Sequence, residues 1–404
     1  MRAIADALVL AATVRAAFQG FNCGNVFTDG RLKVQSDSEA EFETAQGFEG
    51  TNGAFNSARL YMMLQRDSGD DVIEAIPAAI KTRISLLLGH WASAGSEAFE
   101  REVAALEKAI SQYGDDLEPL VAGISVGSED LYRNSPVGIE AGEFAGADPD
   151  TLVGYIPKVR DVLDDTSLAK AKVGHVDTWT AFANDSNSAL TDACDWLGMG
   201  TYPYFENTHS NAISNGVSLF RGALQKTRDA AGDKEVWITE MGWPVNGKTV
   251  GSAEPPVENA EKFGRDVGCP TFGETNVWWY TLRDAAPDTP GPSFGIVREM
   301  GGEPRYDLSC EGVSADDGSD GDDNDAESSK GLGSGDDSNG AVTKNDSGDS
   351  NADSEAGSNS GGSGIDPRLG TEDAEEDDGG VSGFHQPNSI GASVVAILGA
   401  VALL

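Results

Sequence analysis

Short apolar runs recur along most of the chain, and longer amphipathic stretches separate them. The runs have strand length and are rich in β-branched and aromatic residues, which is typical of strands that are buried on both faces. The pattern predicts eight strands, at residues 19–27, 57–62, 84–91, 121–129, 172–179, 196–204, 235–243 and 275–282.

The stretches between these strands carry apolar residues at helical spacing. The clearest example is 96–113, and the pattern repeats at 151–163 and 214–228. Strands that alternate with helices indicate a parallel sheet, and eight such units over residues 17–313 fit a (β/α)8 TIM barrel. A doubly wound open sheet is the alternative, but residues 20–30 lack the Gly-x-Gly-x-x-Gly turn that such a sheet favours.

The composition changes abruptly after residue 313. Residues 315–380 contain 20 Asp and Glu against 3 Lys and Arg, with Ser and Gly making up much of the rest. Such a segment buries too little apolar surface to offset the entropy of ordering, so we expect a disordered acidic stalk over 314–380. The net charge of the whole chain is −39, which disfavours nucleic acid as a partner. The excess acid indicates either a well-solvated surface or tolerance of high salt.

The N-terminal segment has the composition of a secretory signal. Arg2 precedes a mainly apolar stretch, and small residues surround Ala16, which predicts a signal peptide over residues 1–16. The expected product is a protein of the secretory pathway.

Residues 381–404 resemble a signal for a glycosylphosphatidylinositol (GPI) anchor. A polar spacer precedes an apolar segment at 390–404, which is short for a bilayer span, and small residues lie upstream. Gly379 and Gly380 are the candidate attachment residues. We therefore expect a mature protein at the cell surface, held in the plasma membrane by the anchor or retained in the cell wall.

Four cysteines and two glycosylation sequons fit this compartment. Cys23, Cys194, Cys269 and Cys310 permit up to two disulfides, and all three pairings are open. Their spacing matches no zinc motif, and we expect neither a metal nor a cofactor. The sequons begin at Asn184 and Asn345.

Two predicted apolar strands carry a glutamate at or near their C-terminal end. These residues are Glu129, the last residue of the fourth predicted strand, and Glu240, in the seventh. In a parallel barrel, catalytic groups lie at the C-terminal ends of the strands. Cleavage of a glycosidic bond needs two carboxyl groups, about 5–5.5 Å apart in a retaining enzyme. The pair therefore predicts a glycosidase.

The chain also resembles the fungal family-17 glycoside hydrolases, in particular GPI-anchored endo-β-1,3-glucanases. The similarity is carried in order by residues 20–22, 27–30, 57–61, 86–89, 123–133, 174–179, 202–205, 237–244 and 275–280. The resemblance implies a retaining mechanism with Glu129 as the acid/base and Glu240 as the nucleophile. It also implies a monomer that acts on the β-1,3-glucan of cell walls.

Aromatic residues near the strand ends are candidates for stacking on sugar rings. For each of them, packing in the barrel core is an equally good interpretation, although the resemblance favours Tyr61 and Tyr202 near the cleaved bond. Arg59 is expected to pair with a strand-end carboxylate. The full set of candidate substrate-binding residues is Arg59, Tyr61, Tyr202, Tyr204, Phe205, Trp243 and Trp278.

Three functions remain open on this sequence. The leading hypothesis is hydrolysis of internal β-1,3-glucosidic bonds. The second is a β-1,3-glucanosyltransferase that remodels glucan, since a sugar hydroxyl can replace water in the second step. The third is a catalytically silent glucan-binding wall protein, which the presence of both glutamates disfavours.

Overall fold

The computed structural model describes residues 17–27, 31–65, 68–284 and 292–313. The predicted signal peptide (1–16), acidic stalk (314–380) and anchor signal (381–404) lie outside the described residues. The same is true of Asn345, Gly379 and Gly380.

The described residues form a closed barrel of eight parallel strands, in which each strand pairs with its neighbours in sequence. The first and last strands pair with each other and close the barrel. This confirms the predicted (β/α)8 architecture, and every predicted strand contains one observed strand. In chain order, β1 to β8 are Gln19–Cys23, Ser57–Leu60, Ser85–His90, Val121–Ser128, Val173–Thr178, Trp196–Thr201, Glu235–Met241 and Val277–Trp279.

Helices surround the barrel and cover its outer face. The three helices predicted from periodicity are the longest ones among the described residues. Two of them extend beyond the predicted ranges, and the third begins two residues later and ends three residues later than predicted. A π-helical turn, Gly264–Gly268, joins the last two helices. In the described residues, α1 to α11 are Gln35–Gln46, Ala75–Thr82, Ser96–Leu117, Asp130–Arg133, Pro136–Ala141, Pro149–Leu163, Trp179–Phe182, Ser188–Ala193, Gly216–Ala231, Val257–Phe263 and Cys269–Thr271.

Large indole rings fill the lower interior of the barrel. Trp196 and Trp237 stack with their ring centroids 4.0 Å apart, and Trp278 packs against Trp237. Glycines on the facing strands make room for them. A Cβ atom at Gly174 would come within 2.5 Å of the Trp196 ring, and one at Gly123 within 2.7 Å of the Trp237 ring. These glycines are therefore required by packing in the barrel.

The position of Trp278 corrects one sequence-based expectation. Its side chain is fully buried among the barrel-floor indoles, and its indole N–H donates to the Ser57 hydroxyl at 3.0 Å. Trp278 is therefore a core residue and does not contact substrate. Its neighbour Trp279 points outward to the helices, where it packs against Phe263 and Phe272.

All four cysteines lie among the described residues, and they form one disulfide instead of the two that the sequence permits. Cys269 and Cys310 are bonded, whereas Cys23 and Cys194 are buried free thiols. The disulfide lies close to Phe55, which precedes β2, and therefore lies on the face of the barrel where the strands begin. Within the described ranges, no helix combines the length and the apolar content needed to cross a membrane.

We expect the disulfide to stabilise the barrel because it closes a long loop. The bonded cysteines are 41 residues apart, so removing the bond should lower the free energy of unfolding by roughly 2–4 kcal/mol. Chemical denaturation of Cys269→Ser/Cys310→Ser against the parent measures this. Reductant should destabilise the parent protein and leave the double variant unchanged; equal sensitivity in both would contradict the assignment.

Candidate active site

Both predicted catalytic glutamates lie at the mouth of the barrel. Glu129 directly follows β4, and Glu240 is the penultimate residue of β7. The side chain of Arg59, on β2, reaches the ends of both strands. Its guanidinium donates to Glu240 Oε1 at 2.5 Å and to the Ser128 hydroxyl at 2.8 Å. One buried cation therefore joins the ends of three strands.

Three side chains hold the Glu240 carboxylate. Oε1 accepts hydrogen bonds from Arg59 and from the Tyr61 hydroxyl at 2.9 Å, and Oε2 accepts one from the Tyr202 hydroxyl at 2.9 Å. Burial, and then the negative charge of Glu240, raise the pKa of both tyrosines well above the usual value, so they remain donors. Because the neighbouring guanidinium is permanently charged, this environment suits an ionised carboxylate.

Glu129 lies in a contrasting environment. Its side chain is buried, and its Oε1 has no hydrogen-bond partner among the described residues. Burial, followed by the nearby charge of Glu240, raises the pKa of Glu129 well above its ordinary value. A neutral carboxyl group that holds a proton at moderate pH is what a general acid requires.

The backbone at the end of β4 aims Glu129 into the mouth. Gly127 has a φ of +84°, and Glu129 itself has a φ of +57°, in the left-handed region. Carboxylates hold this turn in place: Asp130 accepts the Ser128 N–H at 2.7 Å, and Asp177 accepts two N–H groups from the first turn of α4 at 2.9 and 3.2 Å. Only glycine fits at 127, since a Cβ atom there would come within 2.2 Å of Asp130 Oδ2.

His175 and Arg133 make hydrogen bonds to the same turn. The imidazole of His175 bonds the Val126 carbonyl at 2.6 Å and the Asp177 carboxylate at 3.1 Å. Burial alone would lower the pKa of His175, but the hydrogen bond and charge of Asp177 raise it. Arg133 donates to the Ser128 carbonyl at 2.5 Å. These residues fix the backbone that carries Glu129.

Asn22 is a site residue that the sequence did not single out for a role. Its side-chain amide donates to backbone carbonyls of β7 and β8, both at 3.1 Å, and its carbonyl accepts from Arg59 at 2.8 Å. It thus fixes the guanidinium that binds Glu240. The sequence shows only that Asn22 lies in the first predicted strand. No regular spacing along the chain indicates that it contacts Arg59.

A cavity of about 630 Å³ opens on the side of β4, β5 and β6. Neither of the two predicted catalytic glutamates lines it, but Gly200 does, and a Cβ atom at Gly200 would come within 3.7 Å of Glu129 Oε1. Tyr202 and the half-buried Trp179 line it, together with Glu206, which accepts the Trp179 indole N–H at 3.0 Å. The sequence pattern assigns Trp179 to the fifth predicted strand and gives neither Trp179 nor Glu206 a role, whereas in the structure Trp179 begins α7 and Glu206 follows the turn Pro203–Phe205. The predicted glycosylation residue Asn184 is exposed at the rim of this cavity.

The structure places the other predicted sugar-contact residues in two different environments. Tyr61 and Tyr202 touch the nucleophile, whereas Tyr204, Phe205 and Trp243 are packed into an aromatic cluster behind the site. The polar atoms of these packed residues are used internally: the Tyr204 hydroxyl donates to a backbone carbonyl, and the Trp243 indole N–H does so at 2.9 Å. These three residues therefore shape the wall that supports Tyr202, which corrects the expectation that they stack on sugar.

The geometry defines a class of protein. One carboxyl group bound by a guanidinium and a second, buried carboxyl group with a raised pKa share the mouth of a (β/α)8 barrel, which is the arrangement of a glycoside hydrolase site. No cluster of three or more metal-ligating side chains occurs in the part of the chain that the structure describes.

A family model described as the BtgE/BtgC glycoside hydrolase domain matches residues 21–296. A probable glucan endo-1,3-beta-glucosidase (eglC) of Aspergillus fumigatus is 55% identical over 313 residues, which cover 77% of this chain and 69% of the relative. A protein of the same name from Aspergillus niger is 55% identical over 300 residues, covering 74% of this chain and 65% of the relative. The chain belongs to the BtgE/BtgC glycoside hydrolase family, which confirms the resemblance to endo-β-1,3-glucanases, whereas the GPI anchor stays a prediction.

Solved structures share the fold. A glycoside hydrolase family 17 β-1,3-glucanosyltransferase from Rhizomucor miehei superposes with a TM-score of 0.58 at 23% identity, covering 72% of this chain and 97% of that one. An endo-laminarinase from Formosa Hel1_33_131 does so with a TM-score of 0.53 at 14% identity, covering 69% and 82%. At these identities the similarity shows the fold alone.

Replacing Glu129 by glutamine should remove the general acid. Because only protonated Glu129 is active, the rate of the parent enzyme should fall as pH rises through its elevated pKa. Glu129→Gln should lose on the order of 10²–10⁴-fold in kcat on glucan, and the alkaline limb of the pH–rate profile should disappear. The pre-steady-state burst from an aryl glycoside with an activated leaving group should fall far less. An unchanged pH profile would remove Glu129 from this role.

Two substitutions of Glu240 separate catalysis from stability. Both Glu240→Gln and Glu240→Ala should lose turnover by on the order of 10⁴-fold or more. Glu240→Ala also leaves the buried Arg59 charge with only the neutral hydrogen-bond partners Asn22 and Ser128, which should cost about 3–5 kcal/mol of unfolding free energy. Glu240→Gln keeps an acceptor oxygen and should be destabilised less. Steady-state kinetics and denaturation test this, and normal activity in either variant would contradict the nucleophile assignment.

Proposed function

We propose that this protein hydrolyses internal β-1,3-glucosidic bonds of cell-wall glucan with retention of configuration. The observation that carries the proposal is the contrast between the two carboxyl groups: Glu240 is held by a guanidinium and two hydroxyls, whereas Glu129 is buried with its pKa raised. The names of the Aspergillus relatives, at 55% identity, support β-1,3-glucan as the substrate.

In the first step Glu240 attacks the anomeric carbon as the bond to the leaving oxygen breaks. The electron pair of that bond goes to the leaving oxygen, which takes the proton of Glu129. The products are a glycosyl-enzyme on Glu240 and a shortened glucan with a free hydroxyl. Tyr61, Tyr202 and Arg59 orient the attacking carboxylate throughout.

In the second step Glu129, now ionised, takes a proton from water as the water oxygen attacks the anomeric carbon. The bond to Glu240 breaks, and its electron pair restores the carboxylate. The net configuration is retained, and both glutamates return to their starting protonation states. The enzyme then needs no cofactor.

Glucanosyl transfer is a second candidate, and the cavity beside Glu129 favours it. Its volume of about 630 Å³ is in the range of ligand-binding pockets, and Trp179 offers a ring face within it. A glucan hydroxyl bound there would replace water in the second step and give a longer chain.

We also propose that the enzyme acts as a glycosylated monomer at the cell surface and contributes to remodelling of the wall. The composition of residues 1–16 and 381–404 supports secretion and a GPI anchor, and the acidic stretch 314–380 would serve as a spacer. The exposed position of Asn184 is compatible with a glycan.

Product analysis on linear laminarin and laminarioligosaccharides tests the proposed reaction. Endo-hydrolysis should give shorter oligosaccharides of mixed length that retain the β configuration when first released. Products longer than the starting oligosaccharide would show that transfer dominates. Glu240→Gln is the control and should give neither; the absence of any product from the parent enzyme would support the silent glucan-binding alternative.

A further inference from the structure

A second, much smaller cavity lies on the opposite side of the nucleophile, between β1, β2 and β8. Its volume is about 30 Å³. Asn22 and Tyr61, which contact Arg59 and Glu240, form one wall, and Cys23, Lys33 and Glu41 form another. The cavity therefore connects the catalytic machinery to three charged residues that the mechanism does not use, Lys33, Glu41 and Arg283.

Lys33 and Glu41 form a buried ion pair at this cavity. The Lys33 ammonium contacts Glu41 Oε1 at 2.6 Å, and the two side chains are only 8% and 9% exposed. Glu41 Oε2 is buried and has no hydrogen-bond partner among the described residues. An unsatisfied buried carboxylate oxygen is costly, and a buried ion pair is stabilising only when its remaining hydrogen-bonding capacity is used. A ligand group in the cavity would use it.

The direction of the reaction identifies which part of the substrate reaches this cavity. The leaving oxygen takes its proton from Glu129, so the leaving portion of the glucan extends over β4 to β6. The glycosyl portion that is transferred to Glu240 must lie on the other side, toward β1, β2 and β8. Lys33 and Glu41 therefore face the transferred portion of the glucan.

The size and chemistry of the cavity limit the group that it accepts. A volume of about 30 Å³ has room for roughly two water-sized groups, so a whole pyranose ring does not fit. A hydroxymethyl group does fit. Its hydroxyl hydrogen would be donated to Glu41 Oε2, and its oxygen would accept from the Lys33 ammonium, which has donors to spare.

We propose that the Lys33–Glu41 pocket binds the free 6-hydroxymethyl group of a glucosyl unit in the transferred portion of the substrate. This rests on the proposed function, because it assumes that Glu240 receives a glucosyl chain. The pocket selects units whose 6-hydroxyl is unsubstituted, since a branch at that oxygen does not fit. It therefore directs cleavage to unbranched stretches of β-1,3-glucan.

The test is a cycle that removes the hydroxyl from the substrate and the ion pair from the enzyme. The substrates are an aryl β-laminaribioside and its two analogues, 6-deoxygenated in one or the other glucosyl unit. The enzymes are the parent and Lys33→Met/Glu41→Leu, an apolar replacement of similar volume that buried ion pairs often tolerate. Glu41→Gln, which keeps the volume and an acceptor oxygen, is the conservative variant.

In the parent enzyme, one of the two deoxy analogues should lose roughly 10–100-fold in kcat/KM, the effect of hydrogen bonds to charged groups. In Lys33→Met/Glu41→Leu the kcat/KM on the unmodified aryl β-laminaribioside should fall by a similar factor. Deoxygenation of the substrate should then have no further effect. Glu41→Gln should retain part of the preference. The proposal would be overturned if Lys33→Met/Glu41→Leu lost the same factor in kcat/KM on all three substrates. It would also be overturned if the parent enzyme had the same kcat/KM on all three.

Binding of the same compounds to Glu240→Gln, measured by calorimetry, tests the pocket without turnover. Suppose that Glu240→Gln binds the aryl β-laminaribioside more tightly than one deoxy analogue, but the parent enzyme cleaves no β-1,3-glucan. That result would overturn the proposed function and leave the pocket intact. Turnover by the parent enzyme without any such preference would overturn the pocket alone.

Discussion

The site depends on one buried ion pair, between Arg59 and Glu240. Removing two charges from water is expensive, and the pair is maintained because nearly all of its remaining hydrogen-bonding groups have partners. Asn22 and Ser128 accept from the terminal nitrogens of the guanidinium, whose Nε has no partner among the described residues, and two tyrosines donate to the carboxylate. Since these partners come from different strands of a closed barrel, the geometry cannot relax without disrupting strand pairing.

This arrangement assigns different roles to two chemically identical side chains. Arg59 neutralises Glu240 and gives its second nitrogen to Ser128, so the other glutamate receives no direct cation. Burial and the negative charge of Glu240 favour the protonated form of Glu129, and they outweigh the opposing charges of Arg133 and Arg59. The proposed division into nucleophile and acid thus follows from burial and from the direct ion pair that only Glu240 makes, and the left-handed turn at Glu129 points that carboxyl group into the same opening.

Sequence patterns predict the barrel and both glutamates because these features are periodic or local. Buried parallel strands are continuous apolar runs, and their ends are visible in the chain. The same property prevents the sequence from showing what the strand-end aromatic residues do, because both faces of such a strand are buried. Trp278 in the barrel floor and Tyr202 in the mouth therefore have similar sequence surroundings. Asn22, Asp177 and the Cys269–Cys310 pairing depend on contacts between distant elements, for which one sequence contains no period or spacing.

The disulfide has a mechanical consequence. Cys310 is bonded at the floor of the barrel, so the last described residues leave from the end opposite to the catalytic opening. A pull on Cys310 is transmitted through the disulfide to Cys269 and to the face of the barrel where the strands begin, not to the loops that carry Glu129 and Tyr202. The catalytic opening therefore faces away from the last described residues.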